Sequence, residues 1–174
     1  MCPAPDGRRL RPAEPGDVPF LVALANRPEV QRLVAARGAR TPDELSAQVA
    51  EGSRWVLLDD GAPAGTVGLR TVNERSRIAS LFGLAVDPAR RGRGIARSGV
   101  AELVGWAFDV RGLHRVEAEC YGFNDGAIAF FRALGFVEEG VRRRAWWRHG
   151  AWHDGVRFAL LADDPRPPDV TSAT

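Results

Sequence analysis

An apolar strand, a turn rich in glycine and arginine, and a long amphipathic helix follow one another between residues 77 and 110, and this succession constrains the fold most. "RIASLFGLAVD" (77–87) is an almost wholly apolar run, which predicts a central strand buried on both faces. "IARSGVAELVGWAFDV" (95–110) repeats apolar residues at helical spacing. The predicted inner face of this helix consists of Ile95, Val100, Leu103, Val104, Ala107 and Phe108. Because "HRVEAECYGF" (114–123) is again a strand, the segment predicts a strand–helix–strand crossover.

Six further elements flank this crossover. In chain order they are an extended opener (8–13), a helix (14–30), a second helix (41–52), a hairpin (54–72), a short helix (124–136) and a pair of strands (137–161). Asp17 and Thr41 are the predicted N-caps of the first two helices, and Glu44 completes a capping box with Thr41. The pattern predicts an α/β fold with a mixed, mostly antiparallel central sheet and helices on both faces. Residues 1–163 are expected to form a single domain, and 164–174 a disordered tail.

Composition excludes several classes of function. The formal net charge of the 174 residues is +2, which is too small to indicate a nucleic-acid-binding protein by itself. The sequence has no apolar run long enough to span a membrane and no apolar signal core near its start. Its two cysteines, Cys2 and Cys120, fit neither a disulfide framework nor a metal site. We therefore expect a cytoplasmic protein with no membrane partner.

The turn itself, "VDPARRGRGIA" (86–96), has the features of an anion site. The first N–H groups of a helix lack intrahelical partners, and the helix dipole is positive there. Gly92 and Gly94 permit close approach of a ligand to the backbone. Neither the dinucleotide pattern G-x-G-x-x-G nor the ATP-loop pattern G-K-[ST] is present, since the chain has no Lys. The residues alone leave two interpretations, a pyrophosphate cradle and a solvated arginine-rich turn.

Several motifs in the same order resemble those of the GNAT acyltransferases. Arg91-x-x-Gly94-x-Ala96 resembles the family's Q/R-x-x-G-x-G/A signature. "GLHRVEAECYGFNDGAIAFFRALGFVEEGVRRR" resembles its second signature, in which an Asn ends a strand and a helix then leads to "GF..EG". The first and last segments resemble the ribosomal-protein-alanine N-acetyltransferase branch, so the resemblance runs from about Arg8 to Leu161.

This resemblance implies acetyl-CoA as co-substrate, no metal, and transfer of the acetyl group to a primary amine by direct attack in a ternary complex. The acceptor would be a protein N-terminus or a small-molecule amine, with no direct nucleic-acid contact. The oligomeric state stays open, with a homodimer as one alternative. Val86 would pair with pantetheine and offer its N–H to the thioester carbonyl, and Asn124 and Phe131 would lie against the cofactor. The residues whose backbone would hold the pyrophosphate are Arg91, Gly92, Arg93, Gly94, Ile95 and Ala96.

The proton-handling residues of the family are not found at their usual positions. Phe131 stands where many members have a Tyr, Ala127 where the ribosomal branch often has a Ser, and Leu81 or Ser80 where many have a Glu. Glu119 and Asp154 are the remaining candidate catalytic residues. Each has a structural alternative, since Glu119 suits a surface ion pair with an arginine and Asp154 suits a turn. Cys120 is predicted to be a buried structural thiol.

The last two strands hold a concentration of aromatic residues. Alternation along a strand places Trp146 and Trp147 on opposite faces, and Trp152 follows the turn. These side chains suit either cross-strand packing or a wall of the acceptor site or dimer surface. His149 and His153 have metal-like spacing, but no third ligand accompanies them.

Two rival functions remain from the sequence. One is an acyl-CoA-binding protein with weak or lost catalysis, which the substitutions at Ala127 and Phe131 suggest. The other is an RNA- or ribosome-binding module that uses the arginines of 90–93 and 142–144.

Overall fold

The computed structural model describes residues 9–34 and 39–166, and its elements follow the predicted order. The strands are β1 Leu10–Pro12, β2 Arg54–Asp59, β3 Ala62–Asn73, β4 Ile78–Val86, β5 Arg115–Tyr121, β6 Val137–Arg148 and β7 Ala151–Leu161. The helices are α1 Val18–Ala25, α2 Pro28–Gln31, α3 Pro42–Ala50, α4 Ile95–Asp109 and α5 Asp125–Ala133. None of the helices in these ranges is long and apolar enough to cross a membrane.

The seven strands form a mixed, mostly antiparallel sheet in the order β1-β2-β3-β4-β5-β7-β6. β4 and β5 are parallel, with Ile78 opposite Arg115 and Ser80 opposite Glu117. Parallel neighbours cannot be joined by a tight turn, and α4 supplies the connection. The predicted α/β class and the strand–helix–strand crossover are therefore confirmed.

The chain divides into two compact units, to both of which β3, β4 and α4 contribute. The first unit contains the described residues up to Leu69 together with Gly83–Leu103. Its strands β1, β2 and β3 are antiparallel neighbours, and α1 and α3 pack an apolar cluster against β2. The fully buried members of that cluster are Leu21 and Val56.

The second unit contains Arg70–Phe82 and the described residues from Val104 onward. β7 pairs with β5 on one side and with β6 on the other, in both cases antiparallel. Three buried phenylalanines, Phe131 of α5, Phe136 and Phe158 of β7, pack their rings together with centroids 5.4 Å apart. Whether the two units constitute a single domain of residues 1–163 stays a prediction.

The segment 14–30, predicted as one helix, is instead three short pieces. A 3-10 turn spans Pro15–Asp17, and α1 and α2 follow it. Arg27 is extended, with ψ 134°, between the two helices. Proline disfavours the helical conformation in the residue before it, so Pro28 explains why α1 ends and a second helix begins.

Asp17 precedes α1 as predicted, but its side chain does not cap that helix. Its carboxylate accepts two hydrogen bonds from Arg11, at 2.6 and 2.8 Å, and one from the N–H of Glu14. These bonds hold the pKa of Asp17 below its usual value, with the Arg11 hydrogen bond as the main cause. The side chain therefore fastens β1 to the 3-10 turn.

The second helix is confirmed with its capping box. Thr41 accepts the N–H of Glu44 at 3.2 Å, and the Glu44 carboxylate accepts the N–H of Thr41 at 3.3 Å. Gly52, with φ +67°, follows the end of the helix. The hairpin of β2 and β3 is also confirmed.

The prediction that β4 is buried on both faces is wrong. Ala79, Leu81 and Ala85 on one face are buried, whereas the other residues of the strand are only half-buried. A continuous apolar run does not distinguish a strand covered on both faces from one covered on a single face. Of the predicted disordered tail, Asp164 accepts the N–H of Leu161 and Arg166 forms an ion pair with Asp109; residues 167–174 lie outside the described ranges.

All six residues predicted for the inner face of α4 are buried. The helix also contains two glycines in different surroundings. A Cβ at Gly99 would collide with Cδ2 of Leu57, whereas a Cβ at Gly105 would meet nothing within 4 Å.

We therefore expect Gly99→Ala and Gly105→Ala to change stability in opposite directions. Gly99→Ala should lower the free energy of unfolding by about 1–3 kcal/mol because of overpacking against Leu57. Gly105→Ala should leave it unchanged or raise it by up to about 1 kcal/mol, because alanine favours the helix. Urea denaturation of both variants measures the difference. Equal effects would contradict the packing described for Gly99.

Candidate active site

The loop between β4 and α4 is exposed but anchored at both ends. At its start, the Asp87 carboxylate accepts the N–H of Ala89 at 3.0 Å, and the N–H of Asp87 donates to the Ala64 carbonyl at 2.8 Å. At its end, Ile95 is the first residue of α4 and is buried. Residues 91–94 between these anchors are exposed. The loop backbone is thus held in place while its surface stays accessible.

Both glycines of the loop have left-handed backbones. φ is +79° at Gly92 and +73° at Gly94, a region that L side chains rarely adopt. A Cβ built at either position would meet nothing within 4 Å, so the space above the backbone is open. A ligand can therefore approach the main chain at the point where a side chain would otherwise stand.

The main chain offers hydrogen-bond donors at this point. The N–H of Ser98 donates to the Gly94 carbonyl at 3.0 Å, in the first turn of α4. The N–H groups of the preceding residues therefore lie before the helical hydrogen-bond ladder. Together with the positive end of the helix dipole, they fit a diphosphate group. Of the residues predicted here, Gly92, Gly94, Ile95 and Ala96 supply only backbone to such a site.

Asp59 organises the arginines beside the loop. Its carboxylate binds Nη1 of Arg93 at 3.0 Å and Nη1 of Arg90 at 3.2 Å, and it lies 3.6 Å from Nη1 of Arg9. Its side chain is only 6% exposed, whereas those of the three arginines are 36–57% exposed. Three positive charges around one carboxylate leave the loop with a net positive charge. Sequence reasoning missed Asp59, because "DDG" has the composition of a simple hairpin turn.

Val86 lies at the start of the loop, and Arg91 contacts it. Val86 ends β4 and is half-buried, and its carbonyl lies 3.4 Å from Nε of Arg91. The guanidinium of Arg91 is therefore directed back toward the strand end. The roles predicted for Val86, pairing with pantetheine and binding the thioester oxygen, stay predictions.

In the second unit, Asn124 and Phe131 have clear structural roles. Asn124 is the N-cap of α5, and its Oδ1 accepts the N–H of Ala127 at 3.0 Å. Phe131 is 6% exposed and lies among the phenylalanine rings described above. A phenylalanine in this position adds apolar packing and supplies no proton. The predicted contacts of both residues with the cofactor are untested.

Glu119, at the C-terminal part of β5, is held in one orientation. Both of its oxygens lie 3.0 Å from Nη1 of Arg142, and Oε1 accepts Nε1–H of Trp146 at 2.9 Å. Gly155 on β7 makes room for this arrangement, because a Cβ there would collide with the Glu119 carboxylate. The side chain of Glu119 is 24% exposed. The ion pair agrees with the structural alternative weighed from the sequence, and it also fixes a partly accessible carboxylate.

Asp154 accepts a hydrogen bond from the backbone of the neighbouring strand β6. Its Oδ1 accepts the N–H of Arg144 at 2.7 Å, and its carbonyl accepts the N–H of Gly122 at 2.8 Å. Arg144 has φ +51° and lies where the register of β6 shifts against β7. The side chain of Asp154 therefore stabilises a β-bulge. Its predicted catalytic role has no further support and stays a prediction.

Aromatic side chains continue from Glu119 toward the hairpin tip. Tyr121 stacks on Phe123 with ring centroids 4.9 Å apart and meets Trp146 edge-on at 5.8 Å. On the other face of β6, Trp147 pairs with Trp152 across the strands, and both are more than half exposed. The predicted opposite orientation of Trp146 and Trp147 is confirmed, so the first packs near Glu119 and the second faces solvent.

Cys120 is predicted to be a buried structural thiol, but it is half-buried, and its neighbour Tyr121 is buried. Partial burial, followed by the charges of Glu119 and Glu138, raises the pKa of the thiol to about 11. The thiol is therefore protonated at neutral pH.

The arginine clusters give little basis for the RNA-binding alternative. Within residues 9–34 and 39–166, no group of three or more His, Cys, Asp or Glu side chains is placed to hold a metal ion. Arg90 and Arg93 bind Asp59, and Arg142 binds Glu119. These arginines of the proposed RNA-binding surface are thus engaged in intramolecular ion pairs.

The sequence was compared with protein families and known proteins, and the matches are to acetyltransferases. The sequence profile of the Acetyltransferase (GNAT) family matches residues 19–136. The spermidine N(1)-acetyltransferase of Escherichia coli K12 is 27% identical over 165 residues, which cover 91% of this chain and 88% of that protein. The Bacillus subtilis protein named "Putative ribosomal N-acetyltransferase YdaF" is 30% identical over 105 residues, which cover 60% of this chain and 57% of YdaF.

Among solved structures, the spermidine N-acetyltransferase of Vibrio cholerae in complex with CoA and spermine superposes with a TM-score of 0.81. It is 25% identical, and the match covers 89% of this chain and 95% of that one.

The raised pKa of Cys120 makes its reactivity testable. In a Cys2→Ser variant, we expect Cys120 to react with iodoacetamide roughly 100-fold more slowly at neutral pH than the same cysteine in the denatured chain, because so little thiolate is present. The rate should still be rising at pH 10. Mass spectrometry of timed samples measures it. Rapid alkylation at pH 7 would contradict the protonated state, and loss of amine acetylation in Cys120→Ala would indicate a covalent role.

Proposed function

The chain belongs to the GNAT acetyltransferase family, and on this premise we propose that it transfers an acetyl group from acetyl-CoA to a primary amine by direct attack in a ternary complex. The observation that carries the proposal is the open, left-handed backbone at Gly92 and Gly94 immediately before α4. A diphosphate placed there accepts several N–H hydrogen bonds and meets the positive end of a helix dipole. Acetyl-CoA carries this diphosphate between its nucleotide and its pantetheine arm.

The arginines beside the loop support the same ligand. Asp59 neutralises one of the three positive charges that surround it, and the exposed guanidiniums of Arg90 and Arg93 keep the remainder near the loop. Arginine forks match phosphate oxygens in geometry as well as in charge. Because Asp59 fixes Arg90 and Arg93, less conformational entropy is lost when the phosphate binds.

The reaction itself needs little covalent chemistry from the protein. The neutral amine attacks the thioester carbonyl, a carbon–nitrogen bond forms, the carbon–sulfur bond breaks, and coenzyme A leaves as the thiol after taking up a proton. Catalysis then consists of positioning, removal of the amine proton and stabilisation of the oxyanion. We assign the oxyanion contact to the N–H of Val86, at the end of β4.

We propose Glu119 as the acceptor of the amine proton and assign Asp154 to the hairpin. Glu119 is a partly exposed carboxylate whose orientation is fixed by Arg142 and Trp146. The Asp154 carboxylate instead bonds a strained backbone N–H. A geometrically fixed group is better suited to proton transfer than a mobile one, because less reorganisation accompanies the transfer.

The acceptor is proposed at the level of a primary amine. Spermidine appears in the names of several relatives, which supports a small-molecule amine as the acceptor. The name of another relative refers to a ribosomal activity, and a protein N-terminus as acceptor stays a prediction. A cytoplasmic location, a homodimer and the lack of a nucleic-acid partner stay predictions.

A second candidate function is an acyl-CoA-binding protein that no longer turns over. It is favoured by Phe131, which packs among aromatic rings at the position where many family members have a tyrosine hydroxyl. Thiol release distinguishes the two functions. An enzyme liberates coenzyme A when an amine is added, whereas a binder gains thermal stability from coenzyme A and releases no thiol with any amine.

Gly94→Glu tests the loop, with Gly112→Glu as a matched control. Both glycines have positive φ, at +73° and +62°, and open space at the Cβ position, so the backbone strain of the two variants is alike. We expect only Gly94→Glu to abolish coenzyme A binding, because its carboxylate takes the place of the diphosphate. Thermal shift measures this, since coenzyme A at one hundred times Kd stabilises a folded protein by about 2.7 kcal/mol. Retained binding in Gly94→Glu would show that the loop is only a turn.

Glu119→Gln tests proton transfer, with Asp154→Asn beside it. We expect Glu119→Gln to lower kcat by about 100-fold or more at unchanged affinity for coenzyme A, because general base catalysis is lost while the shape is kept. Asp154→Asn should lower the free energy of unfolding, because Asp154 stabilises the β-bulge, and it should leave kcat nearly unchanged. Steady-state thiol release and urea denaturation give both values. If kcat of Glu119→Gln equals that of the wild type, Glu119 is not the base.

A further inference from the structure

A small pocket in the first unit combines apolar walls with two arginines. Helices α1, α2 and α3 contribute Leu21, Val30 and Leu45, and Ala85 of β4 closes one side. Arg40 and Arg54 also line the pocket. Its volume is about 30 Å³, which is space for about two water molecules or a group of similar size.

Arg54 lines this pocket with a buried side chain. It is 4% exposed, and its guanidinium donates to Oε1 of Gln48 and, at 3.3 Å, to the Gly83 carbonyl. Gly83 has φ +58°, and a Cβ there would lie 2.7 Å from Nη1 of Arg54. The strand thus has a glycine where the guanidinium needs room. Burial of a charge is costly, and hydrogen bonds to the guanidinium offset part of that cost.

Arg40 is placed at the same pocket by its main chain. Asn26, which follows α1, donates from Nδ2 to the Arg40 carbonyl at 2.9 Å and accepts the Arg40 N–H at 2.7 Å. The side chain of Arg40 is 27% exposed and lies 3.7 Å from the half-exposed carboxylate of Glu44. Both arginines are thus held at the pocket by several side chains.

The two arginines repel each other. Burial, followed by the charge of Arg40, lowers the pKa of Arg54 to about 10. Arg54 therefore still carries its charge at neutral pH. Among the described residues that line the pocket, Arg40 and Arg54 carry positive charge and none is acidic. An anionic group between the two guanidiniums relieves their repulsion, whereas a cation increases it.

We propose that this pocket binds a carboxylate carried by the acceptor, so that the preferred substrates are amines with an anionic group and not polyamines. The proposal rests on the proposed acetyltransferase function. Two carboxylate oxygens fill the small volume and accept hydrogen bonds from two guanidiniums.

The position of the pocket along β4 agrees with this orientation. Gly83 and Ala85 contribute to the pocket, and Val86, the assigned oxyanion contact, is the next residue of the same strand. The distance from Gly83 to Val86 is roughly 10 Å along a strand. A carboxylate bound near Arg54 therefore directs the rest of the acceptor toward the end of β4. We expect amines several bonds away from their carboxylate to react best.

The test compares each carboxylate with its neutral amide. Thiol release from acetyl-CoA is measured with β-alanine, 4-aminobutyrate and 6-aminohexanoate, with the carboxamide of each, and with spermidine. We expect kcat/KM for the best carboxylate to exceed that of its amide and of spermidine by about 10-fold or more, because a charge-assisted hydrogen bond is lost in the amide. Equal rates for acid and amide, or a preference for spermidine, would overturn the proposal while leaving the acetyltransferase function intact.

Arg40→Gln identifies the pocket as the source of this preference, with Arg32→Gln as a matched control. Arg32 is exposed, belongs to the same unit and does not line the pocket. Arg40→Gln should raise KM for the carboxylate about 10-fold, with kcat, coenzyme A affinity and the KM of the amide unchanged. Arg32→Gln should change none of these. An equal effect of Arg40→Gln on acid and amide would mean that Arg40 is only structural.

A binding measurement covers the case in which no amine is turned over. In the presence of coenzyme A, 4-acetamidobutyrate should raise the melting temperature of the wild type more than 4-acetamidobutyramide does, and Arg40→Gln should remove the difference. If thiol release is absent but this difference is present, catalysis fails and the carboxylate site stands. If the melting temperatures do not differ, the carboxylate site is disproved whatever the activity.

Discussion

The parallel pairing of β4 with β5 is the constraint on which the candidate site depends. Parallel strands need a long connection, and α4 supplies it. The start of that helix therefore has to follow the end of β4 after a short loop. A helix start brings unbonded N–H groups and a positive dipole, so the crossover creates an anion site as a consequence of its topology.

By our proposal, the side chains around the loop adapt this general property to a diphosphate. Gly92 and Gly94 adopt left-handed backbones that leave the main chain uncovered, and Ile95 anchors the helix in the core. Asp59 holds Arg90 and Arg93 nearby. The same strand β4 has another glycine, Gly83, which makes room for the guanidinium of Arg54. By our two proposals, glycine-dependent features in one short segment thus serve the donor and the acceptor.

Much of this arrangement is predictable from the sequence, because it depends on local rules. The capping box at Thr41, the inner face of α4 and the N-terminal start of α5 at Asn124 follow from spacing within one or two turns. For the first helix and its cap, the deciding interactions came from a proline and from an arginine of β1. Pro28 divided the first helix, and Arg11 drew the side chain of Asp17 away from the cap.

The polar partners of the site are not predictable in this way. Asp59 meets Arg90 and Arg93 across more than thirty positions of the chain, and Arg54 meets Gly83 across 29. From the sequence alone, Asp59 is interpreted as a turn residue and Arg54 as an ordinary strand arginine. Only the fold brings Asp59 close to Arg90 and Arg93, and Arg54 close to Gly83. Likewise, the sequence offered Asp154 as a candidate for catalysis, and only the bulge at Arg144 reveals its backbone partner.

The central claim is that backbone N–H groups of the β4–α4 loop bind the diphosphate of acetyl-CoA. Titration of isotopically labelled protein with coenzyme A, followed by amide nuclear magnetic resonance, tests it most directly. We predict the largest amide shifts at residues 92–97, with downfield movement of the proton resonances as hydrogen bonds form. Binding that leaves these amides unmoved, or that shifts only arginine side chains, would contradict the account.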